Sequence, residues 1–153
     1  MAKKIKLVKS GKNIHKKRNP PWYKDGLRFE CQRCGNCCRG EPGTVWLNKK
    51  EIKDTSALLG ISPNRFAEEN LRIINGRTSL LEHGNGNCIM YDKECRIYET
   101  RPLQCKTFPF WKSNLRNTAD WEEQGKTCPG IGNGKLHTVE EIESRLAPEL
   151  SNL

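Results

Sequence analysis

The stretch "CQRCGNCCRG", Cys31–Gly40, places four cysteines within eight residues. The first three follow the spacing C-x2-C-x2-C, with which a chain wraps three corners of an iron–sulfur cubane. The first pair alone, Cys31 and Cys34, equally fits one half of a tetrahedral zinc site. Cys38 directly follows Cys37, and neighbouring side chains diverge in extended backbone. Cys38 therefore serves a second site unless the loop folds back there.

Four further cysteines lie downstream and complete two sets of four. A thiolate site takes four sulfurs, so the count fits two sites, although the sequence leaves open which cysteines share a metal. Positive charge nearby favours the thiolate form that binds metal. The candidate ligands are Cys31, Cys34, Cys37, Cys38, Cys88, Cys95, Cys105 and Cys128, and the basic residues beside them are Arg33, Arg39, Arg96, Arg101 and Lys106.

The N-terminal sequence bears on whether these cysteines bind metal or form disulfides. Charges are scattered through "MAKKIKLVKSGKNIHKK", which lacks the apolar core of a secretory signal. No apolar run approaches the roughly 18–20 residues that span a bilayer. We therefore expect a cytoplasmic protein without membrane contact. There, clustered cysteines bind metal more often than they form a disulfide knot, and reactive redox dithiols are the remaining alternative.

Composition indicates that apolar burial alone does not hold this fold. Only 35% of the 153 residues are hydrophobic, and the mean hydropathy is −0.80. A chain of this length usually forms one domain, here with a thin core. Metal–thiolate links can replace missing core. The fold class predicted is therefore α+β, as a small irregular single domain stabilised by metal, with short helices and β-hairpins.

The positive charge lies almost entirely at the N-terminus. Residues 1–19 hold eight basic and no acidic side chains, whereas residues 20–153 hold 19 basic and 18 acidic ones. We predict that residues 1–21 form a disordered basic tail and that residues 22–153 form the cysteine-cluster domain, with Pro20 and Pro21 at the boundary. Nucleic-acid binding is then expected only through the tail.

Local patterns predict the helices. Asn48 and Glu51 form a capping box that opens a helix, and Gly60 suits its C-terminal end. A second helix begins at Ser62 with Pro63 in its first turn and runs to about Leu71. The pair has a helix–turn–helix outline without a cluster of base-reading side chains.

Two further helical segments are predicted near prolines. A single turn spans Arg101–Cys105, with Pro102 at its start. Thr138 and Glu141 form a capping box for a helix that runs through about Leu146 and stops at Pro148.

Strands are predicted at three places. "LRFE" (27–30) is a short strand that delivers Cys31. "LRIINGRTSLL" (71–81) is a hairpin with a type I′ turn at Asn75–Gly76. "CIMYDKECRIY" (88–98) is a second hairpin with its turn at 92–94, which would bring Cys88 and Cys95 together.

"FECQRCGNCC" (29–38) and "CIMYDKECRIYETRPLQCKTFPF" (88–110) together resemble the YkgJ-type cysteine-cluster family. That family is a zinc- or iron-chelating CxxCxxCC domain, also found in flagellin lysine N-methylases. The resemblance implies that seven of the eight cysteines chelate metal, whereas Cys128 lies outside the core motif. The related methylases are considerably longer, and this chain shows no adenosylmethionine-binding glycine loop.

Three functions follow from these observations. The first is an iron–sulfur protein that carries one or two 4Fe–4S clusters and transfers electrons, or assists redox chemistry, with a protein partner of unknown identity. The alternative is a zinc-binding structural or interaction module. The second alternative is a protein-modifying enzyme related to the flagellin methylases. No Ser–His–Asp pattern, phosphate-binding glycine loop or carboxylate pair identifies catalytic residues.

Overall fold

The chain is described from residue 19 to residue 151, with side chains through residue 146, in a computed structural model. Most of the predicted basic tail, residues 1–18, lies outside the described residues, so its disorder stays a prediction. In the described part, no helix has the length and apolar character needed to cross a bilayer.

The described residues form a small α+β domain, as predicted. Their strands make three separate two-stranded antiparallel sheets. The strands are β1 (Leu27–Phe29), β2 (Leu71–Ile74), β3 (Arg77–Leu80), β4 (Tyr91–Asp92), β5 (Glu94–Cys95) and β6 (Ile131–His137). The helices are α1 (Lys49–Leu58), α2 (Pro63–Asn70), α3 (Leu103–Thr107), α4 (Thr118–Thr127) and α5 (Val139–Ser151), with short 3-10 turns at Asn36–Cys38 and Tyr98–Thr100.

Both predicted capping boxes are confirmed. The Asn48 side chain accepts a hydrogen bond from Glu51 N at 2.9 Å, and Glu51 Oε2 accepts one from Asn48 N at 2.8 Å. At the start of α5, Thr138 N donates to Glu141 Oε2 at 3.0 Å, and Glu141 N donates to Thr138 Oγ1 at 3.3 Å. Gly60 follows the end of α1 with φ 68°, the left-handed conformation expected after a helix end.

The predicted β2–β3 hairpin and α2 are also confirmed. Asn75 and Gly76 have φ values of 50° and 76°, as a type I′ turn requires. The Ser62 side chain accepts a hydrogen bond from Arg65 N at 3.2 Å and so caps α2, which has Pro63 as its first residue. These elements form as predicted because a few neighbouring residues determine each of them.

The second hairpin is smaller than predicted. It consists of β4 and β5 alone, with Tyr91 opposite Cys95 and Lys93 at the turn with φ 63°. Cys88 lies outside it and bridges Glu82. Cys88 N donates to Cys38 O at 2.8 Å, so the backbone there pairs with the cysteine-rich loop instead of with the strand of Cys95.

Two predicted helix boundaries are also wrong. The turn expected at Arg101–Cys105 is α3, Leu103–Thr107, and Pro102 stands just before its first residue. The last helix does not stop at Pro148 but continues to Ser151. An interior proline removes one intrahelical hydrogen bond at a cost of about 3 kcal/mol, and such a cost does not by itself end a helix.

Strand β6 and helix α4 were not predicted from the sequence. β6 pairs with β1, with Leu27 opposite His137 and Phe29 opposite Ile131. Its interior residues are exposed and include Gly132 and Gly134, so it lacks the alternation that marks a half-buried strand. The pairing joins the two ends of the described chain.

The buried side chains divide into two hydrophobic clusters. The Phe110 cluster contains Tyr23, Phe110, Leu115, Trp121 and Ile142. The Phe66 cluster contains Leu47, Phe66, Leu80, Met90 and Ile97, with Cys88 and Cys95 packed against it. The core is therefore split into two small parts.

Candidate metal centre

The loop after β1 carries the first four cysteines and folds back on itself. Arg33 and Gly35 have φ values of 53° and 71°, and Cys38 N donates to Gly35 O at 3.0 Å. A Cβ on Gly35 would lie 2.4 Å from the ring of Tyr91, so the close approach requires glycine. Of the two possibilities left open for Cys38, the structure shows the folded-back loop.

The fold-back gathers an inner group of five cysteines, which we define as Cys37, Cys38, Cys88, Cys95 and Cys105. The Cys38 thiol hydrogen-bonds to the sulfurs of both Cys37 and Cys95. Its single S–H can donate to either sulfur, and this hydrogen bond lowers the pKa of Cys37 to about 7 and that of Cys95 to about 7. The same hydrogen bonding raises the pKa of Cys38, which keeps its proton.

Burial and neighbouring charge keep two members of the inner group neutral. Burial, followed by the charges of Cys37, Cys88 and Cys95, raises the pKa of Cys105. Burial likewise raises the pKa of Cys88. Thiolates that lie close together repel one another. A bound metal cation relieves this repulsion, because it replaces the thiol protons and offsets the negative charge.

The other three cysteines, Cys31, Cys34 and Cys128, form an outer group beside the inner one. Burial, followed by the charges of Cys34 and Cys37, raises the pKa of Cys128. The β1–β6 pairing positions this group, because Glu30 N donates to Gly130 O at 3.2 Å and so holds the residue before Cys31 beside the second residue after Cys128. Cys34 is exposed, whereas Cys128 is buried.

The structure thus brings all eight predicted ligands into one region. One cavity is lined by seven of them, and an adjoining cleft by four. The cavity cysteines are Cys31, Cys34, Cys37, Cys38, Cys95, Cys105 and Cys128, and the cleft cysteines are Cys37, Cys38, Cys88 and Cys105. Cys37, Cys38 and Cys105 therefore form the wall between the two spaces.

The donor set is the soft thiolate set that zinc and iron–sulfur clusters take. All eight cysteines are free of disulfide bonds in the structure. Among the described residues, no three Cys, His, Asp or Glu side chains already have the arrangement of a metal-filled site. The sulfurs are therefore neighbours that do not converge on one point. The residue types and their closeness fit zinc or iron.

Three of the predicted basic residues line the site: Arg33 and Arg101 line the cavity, and Arg39 lines the cleft. The charge of Arg101 lowers the pKa of Cys37 and Cys95. Arg39 lies over the Tyr91 ring, with Cζ 5.4 Å from the ring centroid. Arg96 and Lys106 are exposed to solvent.

Two aromatic side chains line the site. Phe108 lines both the cavity and the cleft, and Trp111 lines the cleft. Their ring centroids are 5.1 Å apart, and Trp111 Nε1 donates to Gln104 O at 2.9 Å. Phe110 points away and is fully buried in its own cluster.

The described histidines do not contribute to the cysteine cavity or cleft. His137 Nε2 lies 3.0 Å from Phe29 O, and its ring packs 5.0 Å from the Phe110 ring centroid. His83 lies in the turn after β3, where its N–H and C=O hydrogen-bond to residues of that turn.

Comparison with known proteins gives a matching family and partially matching relatives. The family model "CxxCxxCC: Putative zinc- or iron-chelating domain" matches residues 30–129. An uncharacterized protein of Methanocaldococcus jannaschii is 32% identical over 91 residues, which cover 58% of this chain and 48% of that protein. The chain therefore spans about half the length of this curated relative. No solved structure matches the chain.

Proposed function

Because this chain belongs to the CxxCxxCC family of zinc- or iron-chelating domains and is thus a metal-binding cysteine domain, we propose that it is an iron–sulfur protein. Its role would be electron transfer or accessory redox chemistry. The observation that carries the proposal is the cavity lined by seven cysteines. A mononuclear zinc site and an iron–sulfur cluster each take four cysteine sulfurs, so seven around one space exceed the needs of one zinc ion, and the C-x2-C-x2-C spacing favours a cluster.

The sulfurs of that centre would come from several separate segments of the chain. The inner group supplies five sulfurs from three separate segments: the folded-back loop, the region of β4 and β5, and α3. The outer group supplies three more at the end where β1 and β6 meet. Ligands from distant segments cross-link the chain, which adds most where the hydrophobic core is small.

The residues around the cysteines have distinct tasks in this function. An iron–sulfur cluster supplies one-electron transfer when bound. Phe108 and Trp111 limit the access of water to the sulfurs from the cleft side, and Arg101 offsets negative charge. Cys34 and Cys37 are exposed, so electrons can enter or leave at that edge.

Structural zinc is the second candidate, and the split core favours it. Cys88 and Cys95 pack against the Phe66 cluster, while the outer group adjoins the strands that pack on the Phe110 cluster. Zinc at this junction would contribute directly to folding. The protein-modifying alternative is supported by family resemblance alone.

Anaerobic purification followed by absorption spectroscopy and analysis for iron, acid-labile sulfide and zinc tests the proposal. A brown protein with iron and sulfide in equal amounts is expected. A colourless protein that retains zinc through purification and takes up no iron and sulfide on reconstitution would overturn the iron–sulfur proposal in favour of zinc.

A pair of variants on α3 tests whether the cysteines hold the metal. Cys105→Ser should lose most of the bound iron, because Cys105 belongs to the wall shared by the cavity and the cleft. Thr107→Ser is the matched control, because it changes a buried residue of the same helix but keeps the hydroxyl that bonds Gln104 O. Equal metal content in the two variants would contradict the ligand role of Cys105.

A further inference from the structure

Tyr98 lies between two guanidinium groups at the edge of the cysteine cavity. Arg33 Cζ is 3.9 Å from the centroid of the Tyr98 ring, and Arg101 Cζ is 3.7 Å from it. A cation over an aromatic face at such distances contributes about 0.5–2 kcal/mol, and more as the pair is shielded from water. The ring is therefore held by two such contacts.

Hydrogen bonds fix the members of this stack to the backbone and to each other. Arg101 Nε donates to Tyr98 O at 2.9 Å. Arg33 Nη2 donates to Glu99 Oε1 at 2.9 Å, although both side chains are more than half exposed and the ion pair adds little by itself. Arg101 is partly buried, so its contact with the Tyr98 ring is better shielded from water than the contact made by the exposed Arg33.

The Tyr98 hydroxyl lies within hydrogen-bonding reach of the Cys31 sulfur. This hydrogen bond, followed by burial, raises the pKa of Tyr98 above its ordinary value. A phenol has an ordinary pKa of about 10 and keeps its proton at neutral pH, so Tyr98 is the donor to the sulfur. Tyr98, Arg101 and Cys31 all line the same cavity.

Arg101 acts on other sulfurs in the same cavity, those of the inner group. Its charge lowers the pKa of Cys37 and Cys95 and opposes the rise in the pKa of Cys105. One short segment, Tyr98 to Arg101, thus presents a hydrogen-bond donor to the outer group and a cation to the inner group.

We propose that Tyr98 is a positioning residue of the metal centre: held between Arg33 and Arg101, it donates its hydroxyl proton to the Cys31 sulfur and orients that sulfur toward the metal. This inference rests on the proposed function, because it requires Cys31 to be a ligand. Groups that hydrogen-bond to metal ligands fix ligand orientation and tune the metal, and their loss typically costs 10–100-fold in affinity.

The test compares Tyr98→Phe with the unaltered chain and with Tyr23→Phe, which deletes a hydroxyl from the Phe110 cluster, away from the cysteines. Tyr98→Phe keeps the ring between the guanidinium groups and removes only the donor. Zinc affinity, measured by competition with a chromophoric chelator, should fall about tenfold in Tyr98→Phe and stay unchanged in Tyr23→Phe.

A spectroscopic readout separates positioning from a general loss of stability. With Co²⁺ as the probe, the sulfur-to-metal charge-transfer band should move to lower energy in Tyr98→Phe, because a sulfur without its hydrogen bond gives up charge more easily. If the chain is loaded with an iron–sulfur cluster, the reduction potential should fall for the same reason. Tyr23→Phe should shift neither.

The outcomes distinguish this inference from the proposed function. An unaltered chain that binds neither zinc nor cobalt nor iron through its cysteines overturns the proposed function and, with it, the role of Tyr98. If the unaltered chain binds metal and Tyr98→Phe matches it in affinity and charge-transfer energy, only the positioning role is overturned. Weaker binding with an unshifted band likewise overturns positioning, since a merely destabilised fold would give that pattern.

Discussion

The sulfurs of Cys37, Cys38 and Cys95 differ in protonation although they are hydrogen-bonding neighbours. Cys38 donates its proton toward either neighbour, so it remains a thiol while the other two are stabilised as thiolates. Adjacent cysteines in an extended loop would point apart. The 3-10 turn at Asn36–Cys38 removes that divergence and lets Cys37 and Cys38 serve one group.

The low pKa of Cys37 predicts its reactivity in the metal-free protein. Only the thiolate is nucleophilic, and Cys37 is exposed, so its alkylation by iodoacetamide should rise with pH and reach half its maximum near about 7. Peptide mapping by mass spectrometry after timed alkylation measures the rate for each cysteine. Cys105, whose pKa is raised by burial, should react far more slowly at every pH up to about 9.

The hydrogen-bond donor, the Cys38 thiol, can be removed by substitution while Cys37 is kept. In Cys38→Ala, the half-maximal pH for Cys37 should rise toward about 8.5, the value of an ordinary thiol. A Cys37 that already titrates near 8.5 in the unaltered metal-free chain would show that its sulfur does not accept a hydrogen bond from Cys38.

A substitution at Gly35 tests the geometry of the cysteine-rich loop after β1. Its φ is 71°, and an added Cβ would lie 2.4 Å from the Tyr91 ring, so Gly35→Ala combines backbone strain with a steric overlap. We expect the free energy of unfolding to fall by about 1–3 kcal/mol, measured by urea denaturation, with a parallel loss of bound metal. Gly84→Ala, where a Cβ meets nothing within 4 Å, is the control and should change neither. Similar results for both variants would refute the close approach.

At the scale of elements, Glu51 connects two helix starts. Its Oε2 accepts from Asn48 N at the start of α1, and its Oε1 accepts from Leu103 N at 2.7 Å, at the start of α3. The first helical turns have unpaired N–H groups that favour a negative partner. One carboxylate thereby positions the helix that carries Cys105 against α1.

Glu51→Ala should therefore cost more than the loss of a single cap. Each cap is worth about 0.5–2 kcal/mol, so we expect a fall of about 2–3 kcal/mol in the free energy of unfolding, measured by chemical denaturation. Metal affinity should also weaken, because α3 loses its N-terminal partner. Glu68→Ala, on the exposed face of α2, is the control, and a loss in Glu51→Ala no larger than the loss in this control would remove the case for a shared cap.

The elements that could be predicted from the sequence are those set by nearby residues. Asn48 with Glu51, Thr138 with Glu141, and Asn75 with Gly76 each fix an element through contacts a few residues apart. β6 escaped prediction because its exposed, glycine-containing sequence becomes a strand only by pairing with β1, about a hundred residues earlier.

The candidate site shows the same limit. The cysteines were identifiable by type and spacing, because the chemistry of metal binding requires thiolates. The way in which they group could not be identified from the sequence. The reversal of the loop depends on Gly35 fitting against Tyr91, and the position of Cys88 depends on a backbone hydrogen bond to Cys38. Tyr98 was missed as a site residue, although its place between Cys95 and Arg101 was visible.

At the scale of the whole molecule, the cysteines lie where the two hydrophobic clusters meet. Each cluster has only five buried members. Clusters of this size supply little stability against the entropy of ordering the chain. A metal centre built from these cysteines would join the loop after β1, the β4–β5 hairpin and α3 with the end of α4, and would thus link segments that pack on different clusters.

Removing the metal should therefore affect the entire described fold rather than one loop. Structural zinc in small domains contributes about 10–16 kcal/mol of apparent binding free energy, which matches or exceeds the total stability of about 5–15 kcal/mol of a typical domain. We expect the metal-free chain, kept reduced, to unfold at a markedly lower temperature in circular dichroism than the metal-loaded chain. Amide hydrogen exchange should become faster around both Phe66 and Phe110. Restoring zinc or iron with sulfide should reverse both changes, because the loss arises from missing cross-links between intact segments. A metal-free chain that still unfolds cooperatively at the temperature of the loaded one would show that the two clusters hold the fold by themselves, and the cysteines would then serve function without supporting structure.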